Sequence, residues 1–201
     1  MIYHAKSVVK GVKRALVVVD MPFGTYQSNP DKALKSAIRI MKESGAHAVK
    51  LEGGKEVSES ISKIINAGIP VMGHLGLTPQ SIYKFGTYNV RGKNKIEADQ
   101  LIEDAQTLEK LGCFSTVLEK IPHKLSEEIS KKTKFPLIGI GAGNNVDGQV
   151  LVIHDLIGLT NEFNPRFIRR YLDLNSSIKS AVSQFIKDVK SSDFPSKDEM
   201  Y

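Results

Sequence analysis

Six short apolar runs alternate along this chain with segments of helical periodicity, the pattern of βαβ units laid into a parallel sheet. The runs are Ala15 to Asp20, Ala48 to Glu52, Val71 to His74, Ser115 to Glu119, Leu137 to Gly141 and Gln149 to His154. Each carries a polar or glycine-rich residue at or just past its carboxyl end, and three of those ends are acidic: Asp20, Glu52 and Glu119. A parallel β/α barrel gathers its chemistry at the C-terminal ends of its strands, where residues distant in sequence share one pocket. Three carboxylates meeting there repel one another unless a cation or a proton sits between them, so a divalent metal is the natural occupant.

The intervening segments carry helix signals. Ile2 to Gly11 reads as a helix, and Asn29-Pro30 starts another that runs to Ser44, with Gly45 as its stop. Ser58 to Ala67 ends at Gly68 before Pro70, Ala98 to Leu111 ends at Gly112, and Pro122 to Lys132 and Asn175 to Lys190 complete the set. Gly76 to Asn94 is long and rich in Gly, Thr, Asn and Tyr, as expected of an active-site loop at the catalytic end of a strand. With 201 residues and 41% hydrophobic composition the chain can bury one good core, so residues 1–191 are expected to form a single domain and 192–201 a polar tail. A closed barrel needs eight units in ~200 to 400 residues, and six are found. The expected architecture is therefore an α/β barrel of TIM type that is incomplete, its first two strands missing.

Lys and Arg outnumber Asp and Glu by 28 to 22, a formal charge of +6. The excess is scattered and lacks the interleaved aromatics of a single-stranded nucleic-acid platform, which argues against nucleic acid and suits an anionic small substrate. Cys113 is the one cysteine, so neither a disulfide framework nor a cysteine metal site is available. The basic start followed by the brief apolar run Ala15 to Val19 is too short for a signal or a membrane span. The expected setting is a reducing cytoplasm.

Strand alternation sharpens the site. In Ala48-Val49-Lys50-Leu51-Glu52 the charged Lys50 and Glu52 share one face and Val49 and Leu51 the other, so the charged pair points into the barrel mouth. The same rule puts Val18 with Asp20 and Val117 with Glu119. Each residue also has a plainer reading: an acid after a strand caps a helix or faces solvent, Lys50 and Glu52 form an ion pair, and His74 ties down a loop. Gly139 to Gly143 is a flexible turn that offers an anion cradle but lacks the Lys-Ser/Thr of a phosphate loop, and His154-Asp155 is unspecific.

Five strings, Asp20-Met21-Pro22-Phe23, Val49 to Gly54 (VKLEGG), Gly73 to Ser81 (GHLGLTPQS), Gly139 to Gly143 with Asp147-Gly148-Gln149, and Val152 to Asp155, closely resemble ketopantoate hydroxymethyltransferases. The resemblance runs in unbroken order from Met1 to about Ser191. It implies a barrel of the phosphoenolpyruvate/pyruvate-like type, assembled as a decamer, that moves a hydroxymethyl group from 5,10-methylenetetrahydrofolate to 3-methyl-2-oxobutanoate. It implies one Mg²⁺ per subunit at Asp20 and Glu52, substrate contacts from Asp20, Lys50 and His74, and Glu119 as the base for the C3 proton. Family members carry two further strands ahead of Met1, the second ending in an Asp-Ser pair without counterpart here, and more often a Gln at the Arg91 position. A fragment and a shortened, catalytically silent oligomer subunit are the two accounts of that difference. An unrelated barrel enzyme holding phosphate at Gly139 to Gly143 is a third.

Overall fold

Asn29 and Gly45 show how closely local chemistry sets the elements. In the computed structural model, which describes every residue except 161 and 163, the Asn29 side chain accepts from the N–H groups of Asp31 and Lys32, and Gly45 closes the helix in the left-handed conformation. The helices are α1 (Ile2–Gly11), α2 (Pro30–Ser44), α3 (Ser58–Asn66), α4 (Ile82–Phe85), α5 (Lys95–Leu111), α6 (His123–Lys132), α7 (Ile153–Leu156) and α8 (Leu174–Ser191). The strands are β1 (Val18–Asp20), β2 (Ala48–Lys50), β3 (Val71–Gly76), β4 (Ser115–Glu119), β5 (Leu137–Ile140) and β6 (Gly148–Gln149). α5 starts earlier than expected because Asn94 caps it, accepting from the Glu97 N–H.

All six strands are parallel and lie in sequence order, β1 to β6, with β1 and β6 at the edges of the sheet. This is the strand order of a β/α barrel with six of its units, an incomplete barrel. Val49 and Leu51 are fully buried, as are Ile61 and Ile64 of α3 and Ala105 and Leu108 of α5, all in the same core. Burying each of the larger side chains contributes about 1.5–3 kcal/mol. Gly73 lets α5 come close, since a Cβ there would lie 2.5 Å from both Leu108 Cδ1 and Thr116 Oγ1.

One expected strand is corrected. The run from Gln149 to His154 pairs only through Gly148–Gln149, and Ile153 to Leu156 turns into α7, which carries His154 and Asp155. The reason lies in the neighbour: β5 ends at Ile140 and the chain swings away through Gly141 at φ +63°, so beyond the bond from Val150 N–H to Gly139 the sixth strand has no ladder left.

The described residues form two compact units, Met1–Val150 and Leu151–Tyr201. The first contains the whole sheet. The second is held by its own bonds, among them Asn175 Nδ2 to Leu159 O at 2.9 Å and the Asp173 cap on α8. Within the first, the Gly139 to Gly143 turn packs on α6: Ser126 donates to the Ala142 carbonyl, and a Cβ on Gly143 would lie 2.5 Å from His123 Cβ.

Gly76 ends β3 at φ +93°, and a Cβ there would lie 2.2 Å from the Glu119 carbonyl oxygen. Gly76→Ala is therefore expected to lower the free energy of unfolding by at least about 2 kcal/mol, read by urea denaturation.

Candidate active site

Parallel pairing sets Asp20 beside Lys50, His74 beside Val117 and Gly76 beside Glu119, which brings the tips of β1 to β4 to one level. The side chains then form a continuous chain of contacts. Lys50 Nζ lies 3.3 Å from Asp20 Oδ1 and 3.4 Å from His74 Nδ1. His74 Nδ1 is 3.7 Å from Glu52 Oε1, and its Nε2 is 3.2 Å from Glu119 Oε2 without the alignment of a hydrogen bond. The imidazole is only 2% exposed. All five residues expected at the site are thus in one place, and His74 faces the two buried acids instead of merely tying down a loop.

Burial differs sharply among the acids. Asp20 has a half-exposed side chain, whereas those of Glu52 and Glu119 are 10% and 17% exposed. Burial raises the Glu52 pKa above its ordinary value of 4.5, opposed by His74, by the Gln80 N–H and by Lys50, and reinforced by Asp20. A cation between Asp20 and Glu52 would relieve both the burial cost and their mutual repulsion. Both are hard oxygen donors, and Mg²⁺ is commonly held by one or two carboxylates with water or substrate completing its shell. The two residues fit such an ion, although no group of three His, Cys, Asp or Glu ligands is found among the described residues.

Two residues in the site went unassigned at the level of sequence. The backbone N–H of Gln80 donates to Glu52 Oε2 at 2.8 Å, and its side chain donates to the Met21 carbonyl at 2.9 Å. The hydroxyl of Tyr26 donates to Gln80 Oε1 at 2.9 Å and accepts from the Glu52 N–H at 3.1 Å. Tyr26 is 1% exposed, and burial pushes its phenol well above the usual range. Gln80 lies inside the GHLGLTPQS string, which marked its importance but not its contacts. Tyr26 follows Gly24 and Thr25 in a turn, where no periodicity points to a buried ring. Lys120, next to Glu119, has φ +50°, a left-handed conformation seldom adopted by a residue with a side chain.

Comparisons with known proteins bear on the family and the fold. A family model described as ketopantoate hydroxymethyltransferase matches residues 1–197. Proteins named 3-methyl-2-oxobutanoate hydroxymethyltransferase from Flavobacterium johnsoniae, Porphyromonas gingivalis and Bacteroides thetaiotaomicron are 69%, 63% and 61% identical over all 201 residues, which span 74% of each relative's length. Among solved structures, an orotidine 5'-monophosphate decarboxylase from Methanocaldococcus jannaschii superimposes with a TM-score of 0.55 at 15% identity, covering 77% of this chain and 72% of its own. A protein described as a phosphonomutase from Burkholderia cenocepacia gives 0.54 at 12% identity, covering 95% and 76%. At such identities these two establish the barrel fold alone. Among the described residues no helix is long and apolar enough to cross a membrane.

Two outcomes are expected. Tyr26→Phe strands the Glu52 N–H and leaves Gln80 Oε1 with the Gln27 amide as its donor, and is expected to lower stability by about 1–2 kcal/mol in chemical denaturation. Because the folded chain keeps the Glu52 proton to a higher pH than the unfolded chain does, its ionisation lowers stability as pH rises past the ordinary carboxyl value and through the raised one. Metal-free Glu52→Gln is therefore expected to gain melting temperature relative to the unsubstituted protein as the pH is raised from about 4 to about 8. A flat difference across that range would contradict this account.

Proposed function

This chain belongs to the ketopantoate hydroxymethyltransferase family, and on that premise we propose that it adds a hydroxymethyl group to C3 of 3-methyl-2-oxobutanoate, with 5,10-methylenetetrahydrofolate as the donor. The observation that carries the proposal is the unbroken contact chain from Asp20 through Lys50 and His74 to Glu52 and Glu119 at the strand tips. It supplies what a small 2-oxo acid needs, a cation for its carboxylate, a base for its C3 proton and a pair of oxygen donors for a divalent ion.

In this reading Lys50 binds the substrate carboxylate. Its ammonium is held between Asp20 and His74, so it reaches the anion already placed. Asp20 and Glu52 would hold Mg²⁺, which would supply Lewis-acid chemistry toward the keto oxygen. Glu119 takes the C3 proton, with the buried His74 ring packed 3.2 Å from its carboxylate. The resulting carbon nucleophile attacks the methylene carried by the folate. One water balances the reaction, leaving the hydroxymethyl group on C3 and releasing tetrahydrofolate. Gln80 and Tyr26 fix Glu52 from the two ends of its residue, carboxylate and backbone N–H. Every side chain named here for the chemistry is present and in contact with another, which supports an enzyme over a silent subunit. The phosphate-cradle reading loses support because the Gly143 turn is packed against His123.

The proposal is tested by deuterium exchange at C3 of 3-methyl-2-oxobutanoate, with Mg²⁺ and without folate. Glu119→Gln is expected to slow exchange by about 10²- to 10⁴-fold, and Lys50→Met to act mainly through KM. Exchange as fast in the Glu119 variant as in the unsubstituted protein would refute the role given to Glu119.

A further inference from the structure

A cavity of about 470 Å³ borders the acid site without being part of it. It is walled by the turn Gly53 to Glu56, by the loop that follows β3, and by α5. Leu75 lines it, whereas the neighbouring His74 faces the acids, so the cavity lies on the helix side of β3. Gly53 and Gly76 line the cavity, and the Gly53 N–H, next in the chain to Glu52, bonds the His74 carbonyl at 3.0 Å.

Asp104 of α5 lines this cavity and is only 7% exposed. Its Oδ1 accepts from the Lys55 N–H at 3.0 Å and from Gln100 Nε2 at 3.2 Å, while Oδ2 accepts no hydrogen bond and no cation pairs with the carboxylate among the described residues. Burial raises its pKa, so the group is held there at a cost in free energy. Phe85 supplies an aromatic wall, with the Arg91 guanidinium 4.1 Å from its ring centroid. Lys55 and Lys84 also line it, and neither has a carboxylate within 4 Å among the described residues, whereas the lining acid Glu97 is neutralised by an ion pair with Arg91 and Glu56 lines the same wall.

We infer that this cavity seats the ring of the one-carbon donor, with Asp104 accepting from the donor-rich edge of its amino-oxo-pyrimidine. The inference rests on the function proposed above. That edge presents a ring N–H and an exocyclic amine side by side, the pattern a carboxylate accepts best. The flat ring has Phe85 and the Arg91 plane to lie beside. The anionic glutamate tail finds Lys55 and Lys84. With its pyrimidine edge inward, the ring would present its methylene-bearing edge past Gly53 and Gly76, toward the substrate held by Lys50.

The test uses calorimetric titration with tetrahydrofolate and with tetrahydropteroate, which lacks the glutamate, alongside folate-free C3 exchange. Asp104→Asn is expected to weaken tetrahydrofolate binding by about tenfold or more with C3 exchange within about twofold of the unsubstituted protein. Lys84→Ala is expected to weaken tetrahydrofolate binding but not tetrahydropteroate binding. If Asp104→Asn fails to fold, the Lys84 comparison decides alone. Unchanged affinity for both ligands in the folded variants, or no tetrahydrofolate binding by the unsubstituted protein, overturns the inference. Absence of C3 exchange in the unsubstituted protein instead overturns the proposed function, and a tetrahydrofolate affinity that still depends on Asp104 would then leave the cavity assignment standing.

Discussion

The buried imidazole of His74, between the carboxylates of Glu52 and Glu119, is the contact on which the site depends. It needs β2, β3 and β4 to end at one level, and parallel pairing supplies that: Lys50 sits beside Met72, and His74 beside Val117. Side chains alternate along a strand, so a slip of one residue in β2 would turn Lys50 and Glu52 toward the helices and present Val49 and Leu51 to the site. That slip is opposed by the core, because Val49 and Leu51 are fully buried. Apolar burial on one face thus enforces the charge arrangement on the other.

Placing Glu52 in a largely buried position carries a desolvation cost, and the surroundings offset it from several directions. Lys50 brings positive charge, the His74 ring opposes the rise in the Glu52 pKa, the Gln80 N–H brings a hydrogen bond, and Tyr26 takes up the backbone N–H of the same residue. Removing any one of these leaves a buried polar group short of a partner, which costs more than a surface contact of the same geometry returns. The loop after β3 therefore belongs to the site in a physical sense. Its Gln80 reaches back to Met21 after β1, and its Leu77 N–H bonds the Glu119 carbonyl.

Close backbone approach does the remaining work. Gly76 passes against the Glu119 carbonyl, and Gly54 occupies a place where a Cβ would lie 2.2 Å from Asp104 Cγ. Both glycines sit where loops carrying site residues meet another element.

Much of this was legible in the chain itself. The alternation of apolar runs and helical segments determined a parallel α/β sheet, Asn29 and Gly45 determined the ends of α2, and period-two patterning put Lys50 and Glu52 on one face, because each depends on the chemistry of a few adjacent residues. The five site residues were readable for the same reason, since strand ends converge by topology. Tertiary structure alone decided the rest. Whether the run after Gln149 stays a strand depended on where β5 stops, and the partners of Glu52 are Tyr26 and Gln80, separated from it by 26 and 28 residues. Contacts of that kind are fixed by packing across the fold, and no local pattern in the sequence encodes which distant side chain will arrive.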